Sequence, residues 1–233
     1  MFSFFKKKPA PASSTPPAAN DTSAQMRELL FGDLPLERWT GDSTGAPWSE
    51  FARAQTLLQN GDKTGATAVL QGIVQMSDVE SRHTLQAWHF LRELGVQPPP
   101  EIAKQVLGVV IEVGMDKGLD VLAAYRDHQA RYWNWSGAGV VWEHPDGRFD
   151  PAIDELLTTG QQVASIIGPW DKARPAPVTK DKARMNFLTP SGLHFGEGTF
   201  SVMMRDPLAA PIINNGAELM KQMTDMALGP ETK

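Results

Sequence analysis

The chain has no cysteine among its 233 residues. That excludes disulfides, thiolate metal ligands and cysteine nucleophiles. No apolar run approaches the roughly 18 residues a membrane-spanning helix needs. Phosphate-binding signatures are also lacking. In Gln59-Asn60-Gly61-Asp62-Lys63-Thr64 a Lys-Thr pair follows a glycine, but Asp62 intervenes and no second glycine stands at phosphate-loop spacing. Ser136-Gly137-Ala138-Gly139 has Gly-x-Gly without the third glycine of a dinucleotide fingerprint. No cofactor is expected.

Net charge is −5, with five basic and two acidic residues in 171–184 and three lysines near the N-terminus. The remainder is therefore more acidic than the whole, which argues against nucleic acid as a partner. Residues 1–20 read as a disordered tail dominated by Pro, Ala, Ser and Thr. Its lysines follow its phenylalanines and no secretory apolar stretch is present, so a cytoplasmic location is expected. Phe2, Phe4 and Phe5 with Lys6, Lys7 and Lys8 could make a weak peripheral membrane-surface contact, rings inserting and ammonium groups meeting anionic lipid.

Residues 21–97 read as a helical module. After a short helix to Leu30 and a loop, three helices are predicted over 47–96, from the spacing of Phe51, Ala54, Leu57 and Leu58, of Ala66, Val69, Leu70 and Ile73, and of Leu85, Trp88 and Leu91. Asp62 is a natural N-cap, and Gly61 and Gly95 are natural stops. Ala54, Leu57, Gly61-Asp62, and Ala66 four residues before Leu70 resemble a tetratricopeptide-type hairpin, over about one repeat and with Asp78 where a closing proline is usual. The resemblance implies a helical pair that packs on something else, since one repeat makes no solenoid.

Residues 101–229 read as an α+β domain. The β-branched run Val106–Val113, then 119–126, Gln129–Trp135 and Gly139–Glu143, predict a four-stranded antiparallel meander. Asp150-Pro151 starts a helix through 167, a basic loop occupies 171–183, a hairpin turns at Ser191-Gly192, and an interrupted helix fills 206–229. The fold class is thus α+β, a three-helix tetratricopeptide-like module followed by an antiparallel meander with helices on one face. In order of elements the second part resembles profilin- and roadblock-type sensor and scaffold domains.

Three of the seven tryptophans, Trp133, Trp135 and Trp142, fall within ten residues. A two-residue type II′ turn at Gly137-Ala138 would set Trp133 opposite Trp142 and put all three on one face with Val140. That face is either core beneath the helix at 151–167 or an aromatic wall for a ligand or partner. In Ser191-Gly192-Leu193-His194, a nucleophile and a base stand near each other, but the spacing on one strand is not expected to make them converge, and the G-x-S-x-G elbow does not frame Ser191. No metal is expected, because the five histidines show no ligand spacing. Met220, Met223 and Met226 mark one side of the last helix, either as core or as an adaptable contact face.

These features point to a non-enzymatic, cytoplasmic interaction or scaffold protein whose partner is another protein or a second copy of itself. The alternative is a small-molecule-binding or hydrolytic domain with its pocket between the two glycine-containing hairpins, walled by Trp133, Trp135 and Trp142 and with Ser191 and His194 as polar contacts.

Overall fold

A computed structural model describes residues 26–39 and 44–228. After a helical turn at Leu36–Trp39 come three consecutive helices, α1 (Trp48–Gln59), α2 (Lys63–Val74) and α3 (Ser81–Glu93). Their limits follow from local chemistry. Asp62 accepts a hydrogen bond from the Gly65 N–H and caps α2. Gly61 closes α1 in the left-handed region that L-residues avoid, at φ 80°. Phe51, Leu70, Ile73, Trp88 and Leu91 then interlock with Trp39 in one apolar cluster.

Among the described residues six strands form a single antiparallel sheet in the order β4-β3-β2-β1-β5-β6: β1 (Gly108–Met115), β2 (Gly118–Tyr125), β3 (Ala130–Trp133), β4 (Gly139–Trp142), β5 (Lys182–Thr189) and β6 (Gly192–Thr199). The predicted meander is the first four, and β5 returns to pair with β1. Helix α4 (Asp150–Ile166) lies between β4 and β5, and α5 (Ala209–Leu228) ends the described chain. The architecture is α+β. Strand β1 is central and buried on both sides, which is why its sequence is a continuous apolar run and not an alternating one.

Helices were expected on one face only. The structure covers both. Val109, Ile111, Leu122 and Phe187 meet Ile153 and Leu156 of α4 and Ile212 and Leu219 of α5. On the opposite face Leu30, Phe31 and Leu85 pack on Val110, Val121, Ala123 and Tyr125. Polar pairs fix that second contact: the Tyr125 hydroxyl donates to the Leu30 carbonyl at 2.7 Å, and Ser81 and Asp127 exchange backbone-to-side-chain bonds. A meander with one bare apolar face could not remain so in water, and the helical module supplies the cover.

The basic segment before β5 crosses this second face as a strap. Arg174 bonds Glu28 and Asp33, Val178 joins the apolar cluster, and the Asp181 N–H donates to the Gly114 carbonyl. Beneath it Glu112, fully buried, pairs with Arg27 and Arg184, each only 3% exposed. Those guanidiniums reach on to the carbonyls of Pro175 and Ala176.

Candidate functional site

The pleat of β1 and β2 directs Ile111, Val113 and Leu122 toward α5 at the end of the sheet nearest the β1–β2 turn. There a cavity of about 430 Å³ opens between sheet and helix, bounded further by Ile213, Met220 and Phe200. Beside it α5 carries small residues where it meets the sheet. A Cβ on Gly216 would come within 2.4 Å of the Ile111 Cδ1, so glycine lets helix and strand approach, while Ala217 leaves the mouth open. The cavity falls within the roughly 300–1,000 Å³ of small-molecule sites and shares their mainly apolar lining.

Its polar lining is Asp181 and a tyrosine–carboxylate pair. The Tyr132 hydroxyl donates to Asp120 Oδ2 at 3.2 Å, while Asp120 Oδ1 accepts the Trp135 backbone N–H at 2.8 Å. Burial, the Asp120 charge and that hydrogen bond push the Tyr132 phenol up to about 12. It therefore stays protonated at neutral pH, its one proton committed to Asp120 and its oxygen lone pairs available to a donor in the cavity.

The tryptophans do not form one wall. Trp133 pairs with Gly139 and Trp142 with Ala130, a register shifted by three residues from the expected one. An odd shift moves side chains to the opposite face. Trp142 lies in the α4 and α5 core, 4.4 Å from the Phe149 ring, whereas Trp133 packs on the other face against the cluster that includes Tyr125. Trp135 is in the connecting loop, 39% exposed, with the Lys117 ammonium 5.6 Å from its ring.

Nor do the hairpins share a pocket. Trp135 follows β3 at the β1–β2 turn end, and Ser191 precedes β6 at the other end, on the far side of the sheet. Ser191 and His194 do converge, contrary to expectation, with Oγ and Nε2 3.1 Å apart. The reason is that Ser191 sits in the two-residue Pro190-Ser191 turn, not on the strand, so its side chain can fold back. His194 is fully buried. Burial pushes its pKa below the ordinary histidine range and nearby Lys104 adds to this, against the opposing pull of the Ile167 carbonyl. Its Nδ1 meets no carboxylate, and Glu197 is engaged by Arg184 and Lys182, so no described carboxylate completes a triad.

One G-x-S-x-G sequence does occur, Gly41-Asp42-Ser43-Thr44-Gly45. Its serine lies outside the described residues, and the segment runs from the helical turn Leu36–Trp39 to α1, without the preceding strand an elbow requires. The tail and the membrane-contact candidates Phe2, Phe4, Phe5, Lys6, Lys7 and Lys8 likewise fall outside the described residues. No described helix is long and apolar enough to cross a membrane. The cavity itself was missed in the sequence because its walls come from six separated segments. Only the small pair Gly216-Ala217 in an otherwise apolar helix face hinted at it. Comparison with protein-family models, curated proteins and solved structures finds no match for this chain.

Proposed function

We propose that this chain is a binding protein and not an enzyme, and that its ligand is a small, mainly apolar molecule carrying one hydrogen-bond donor. The observation that carries this reading is the apolar cavity between β1, β2 and α5 with the Tyr132–Asp120 pair in its wall. An amine or hydroxyl on the ligand would donate to the Tyr132 oxygen while apolar surface fills the space beside Ile213 and Met220. The flexible thioether of Met220 suits such a wall.

The test is a titration with N-phenyl-1-naphthylamine, an uncharged apolar amine that fluoresces when removed from water. Saturable one-to-one binding is expected. Ala217→Trp should abolish it by roofing the mouth, and Tyr132→Phe should weaken it by about 2–10-fold, the worth of one neutral hydrogen bond. Absence of saturable binding, or binding that Ala217→Trp leaves intact, would overturn the reading.

A scaffold role is the second reading, supported by the exposed apolar side chains of Phe200, Val202 and Leu208 on the segment that leads into α5. Native mass spectrometry of the protein taken gently from its own cells separates the two. A stoichiometric second polypeptide or a defined homo-oligomer supports the scaffold, and a bound mass of a few hundred daltons supports the cavity.

A further inference from the structure

At the end of the sheet opposite the cavity, the β3–β4 pairing that sets Ala130 against Trp142 brings His128 and His144 together two residues beyond the strands. Their rings stand 5.2 Å apart. Both backbones are in the left-handed region, at φ 60° and 54°, which histidine tolerates better than most residues. Asp150, the first residue of α4, completes the group. Its Oδ1 lies 3.0 Å from His144 Nε2 and its Oδ2 lies 3.9 Å from His128 Nδ1.

We infer that His128, His144 and Asp150 form a binding site for a first-row divalent metal ion such as zinc. Three observations converge on it. First, one potential ligand atom from each residue can be chosen so that all three lie within 4.8 Å of one another. Atoms bound to a common zinc at about 2.0–2.1 Å stand about 3.0–3.4 Å apart, so a small inward movement of His128 completes the geometry. Second, Asp150 Oδ1 is buried and receives no well-directed hydrogen bond despite the nearness of His144, which leaves a carboxylate oxygen wanting a cation. No described Lys or Arg supplies one, since the neighbouring Arg148 is held by Asp146 and stacks on Trp142.

Third, the outer partner of one ligand is in place. His128 Nε2 is 2.9 Å from Asp154 Oδ1, one helical turn beyond Asp150. A proton held there by Asp154 leaves the Nδ1 lone pair facing Asp150, the arrangement in which carboxylates orient metal-bound imidazoles. Two imidazoles with one carboxylate suit zinc and its first-row neighbours, not magnesium or calcium, which prefer all-oxygen sets. The side chains are each about one-third exposed, so the ion has an entry path, and three protein ligands leave a position for water or a further ligand. An ion here would tie the β2–β3 turn, the segment after β4 and the start of α4 into one unit.

The experiment is isothermal titration of the metal-stripped full chain with Zn2+ at neutral pH, alongside thermal unfolding with and without the ion. One equivalent is expected to bind, and at a hundredfold excess over Kd it should raise Tm by about 5–10 °C. His144→Asn and His128→Asn, which keep a residue suited to the left-handed backbone, should each remove both effects while the metal-free Tm, which checks folding, stays near that of the parent. Asp154→Asn should retain the stoichiometry and weaken binding by about 10–100-fold. Absence of saturable binding in the parent chain, or binding unchanged in both histidine variants, overturns the proposal.

Discussion

Glu112 offers the sharpest test of how the second face of the sheet is held. It stands on the central strand with no exposure to solvent. Its Oε1 takes the Arg27 guanidinium, and its Oε2 takes Arg184 at 3.2 Å and the Asn186 amide at 3.1 Å. Glu112→Gln preserves shape but removes the charge and turns an NH2 group toward at least one of these donors. Both guanidiniums keep other acceptors: Arg27 keeps the Pro175 carbonyl, and Arg184 keeps Glu197 and the Ala176 carbonyl. The loss should therefore fall toward the lower part of the roughly 3–5 kcal/mol seen when one partner of a buried ion pair is removed. For a chain of this size that is a fall in Tm of about 6–20 °C. Glu197→Gln is the internal control. Glu197 also touches Arg184, at 2.6 Å, but its side chain is 26% exposed, so its removal should cost no more than about 1 kcal/mol. Urea unfolding with an unchanged m-value reads both numbers. Equal losses for the two variants, or a loss under about 1 kcal/mol for Glu112→Gln, would refute the claim that this buried carboxylate neutralises the strap's anchor.

Two further outcomes follow from packing and burial. A Cβ on Gly114 would come 1.9 Å from the Thr179 carbonyl oxygen, backbone against backbone, so Gly114→Ala should displace the strap and destabilise strongly. Gly72→Ala, on the open face of α2, should instead stabilise by about 0.5–1 kcal/mol, and a denaturant series that ranks the two otherwise counts against the strap's place. Acid should act in two stages. Burial holds His83 and His194 below the usual histidine pKa, so below about pH 6.5 the unfolded chain binds more protons than the folded one and stability falls with pH. Hydrogen bonds from Arg184 and Lys182 hold Glu197 below the usual carboxylate range, so its contribution is full above the ordinary carboxylate pKa, declines as pH falls below that value, and is gone once pH has fallen through its own. Tm measured from pH 7.5 to 5 should decline less in a His83→Gln, His194→Gln double variant, and identical slopes would show that neither ring is held neutral.

What could be read in the sequence is what neighbouring residues decide. The helices of the N-terminal module begin and end where Asp62, Gly61 and Gly95 act, within a turn of the bonds they make. The strands of the meander follow from local alternation and β-branching. Register is different, because it depends on which of several possible turns closes. The sequence Asn134-Trp135-Ser136-Gly137-Ala138 permits a two-residue turn at its glycine, but the Asn134 side chain accepts from the Ser136 N–H and hydroxyl, and Asp120, fifteen residues before Trp135, accepts the Trp135 N–H. Together they hold a longer loop from Asn134 to Ala138, closed by the Asn134 N–H donating to the Ala138 carbonyl. Asp120 is on a different strand, so no reading of the hairpin alone could have weighed it.

The three-residue shift that results does more than separate Trp133 from Trp142. In the expected register His128 would have faced the neighbourhood of Gly147, and no cluster would have formed. In the observed one it faces His144, and Asp150 begins α4 close enough to serve both. Metal-ligand spacing rules look for histidines a few residues apart on one element. Here the ligands are sixteen residues apart and adjacent only through a strand pairing, so the contact that hid the tryptophans' true faces also hid the histidine pair. Asn134→Gly keeps the loop able to turn but removes the side-chain acceptor that favours the longer form. If this account of the register is right, it should loosen the hairpin and weaken zinc binding at His128 and His144 without touching either residue. Unchanged zinc affinity in that variant would mean that the pairing is set by the buried Trp142 and Tyr132, with the loop merely following.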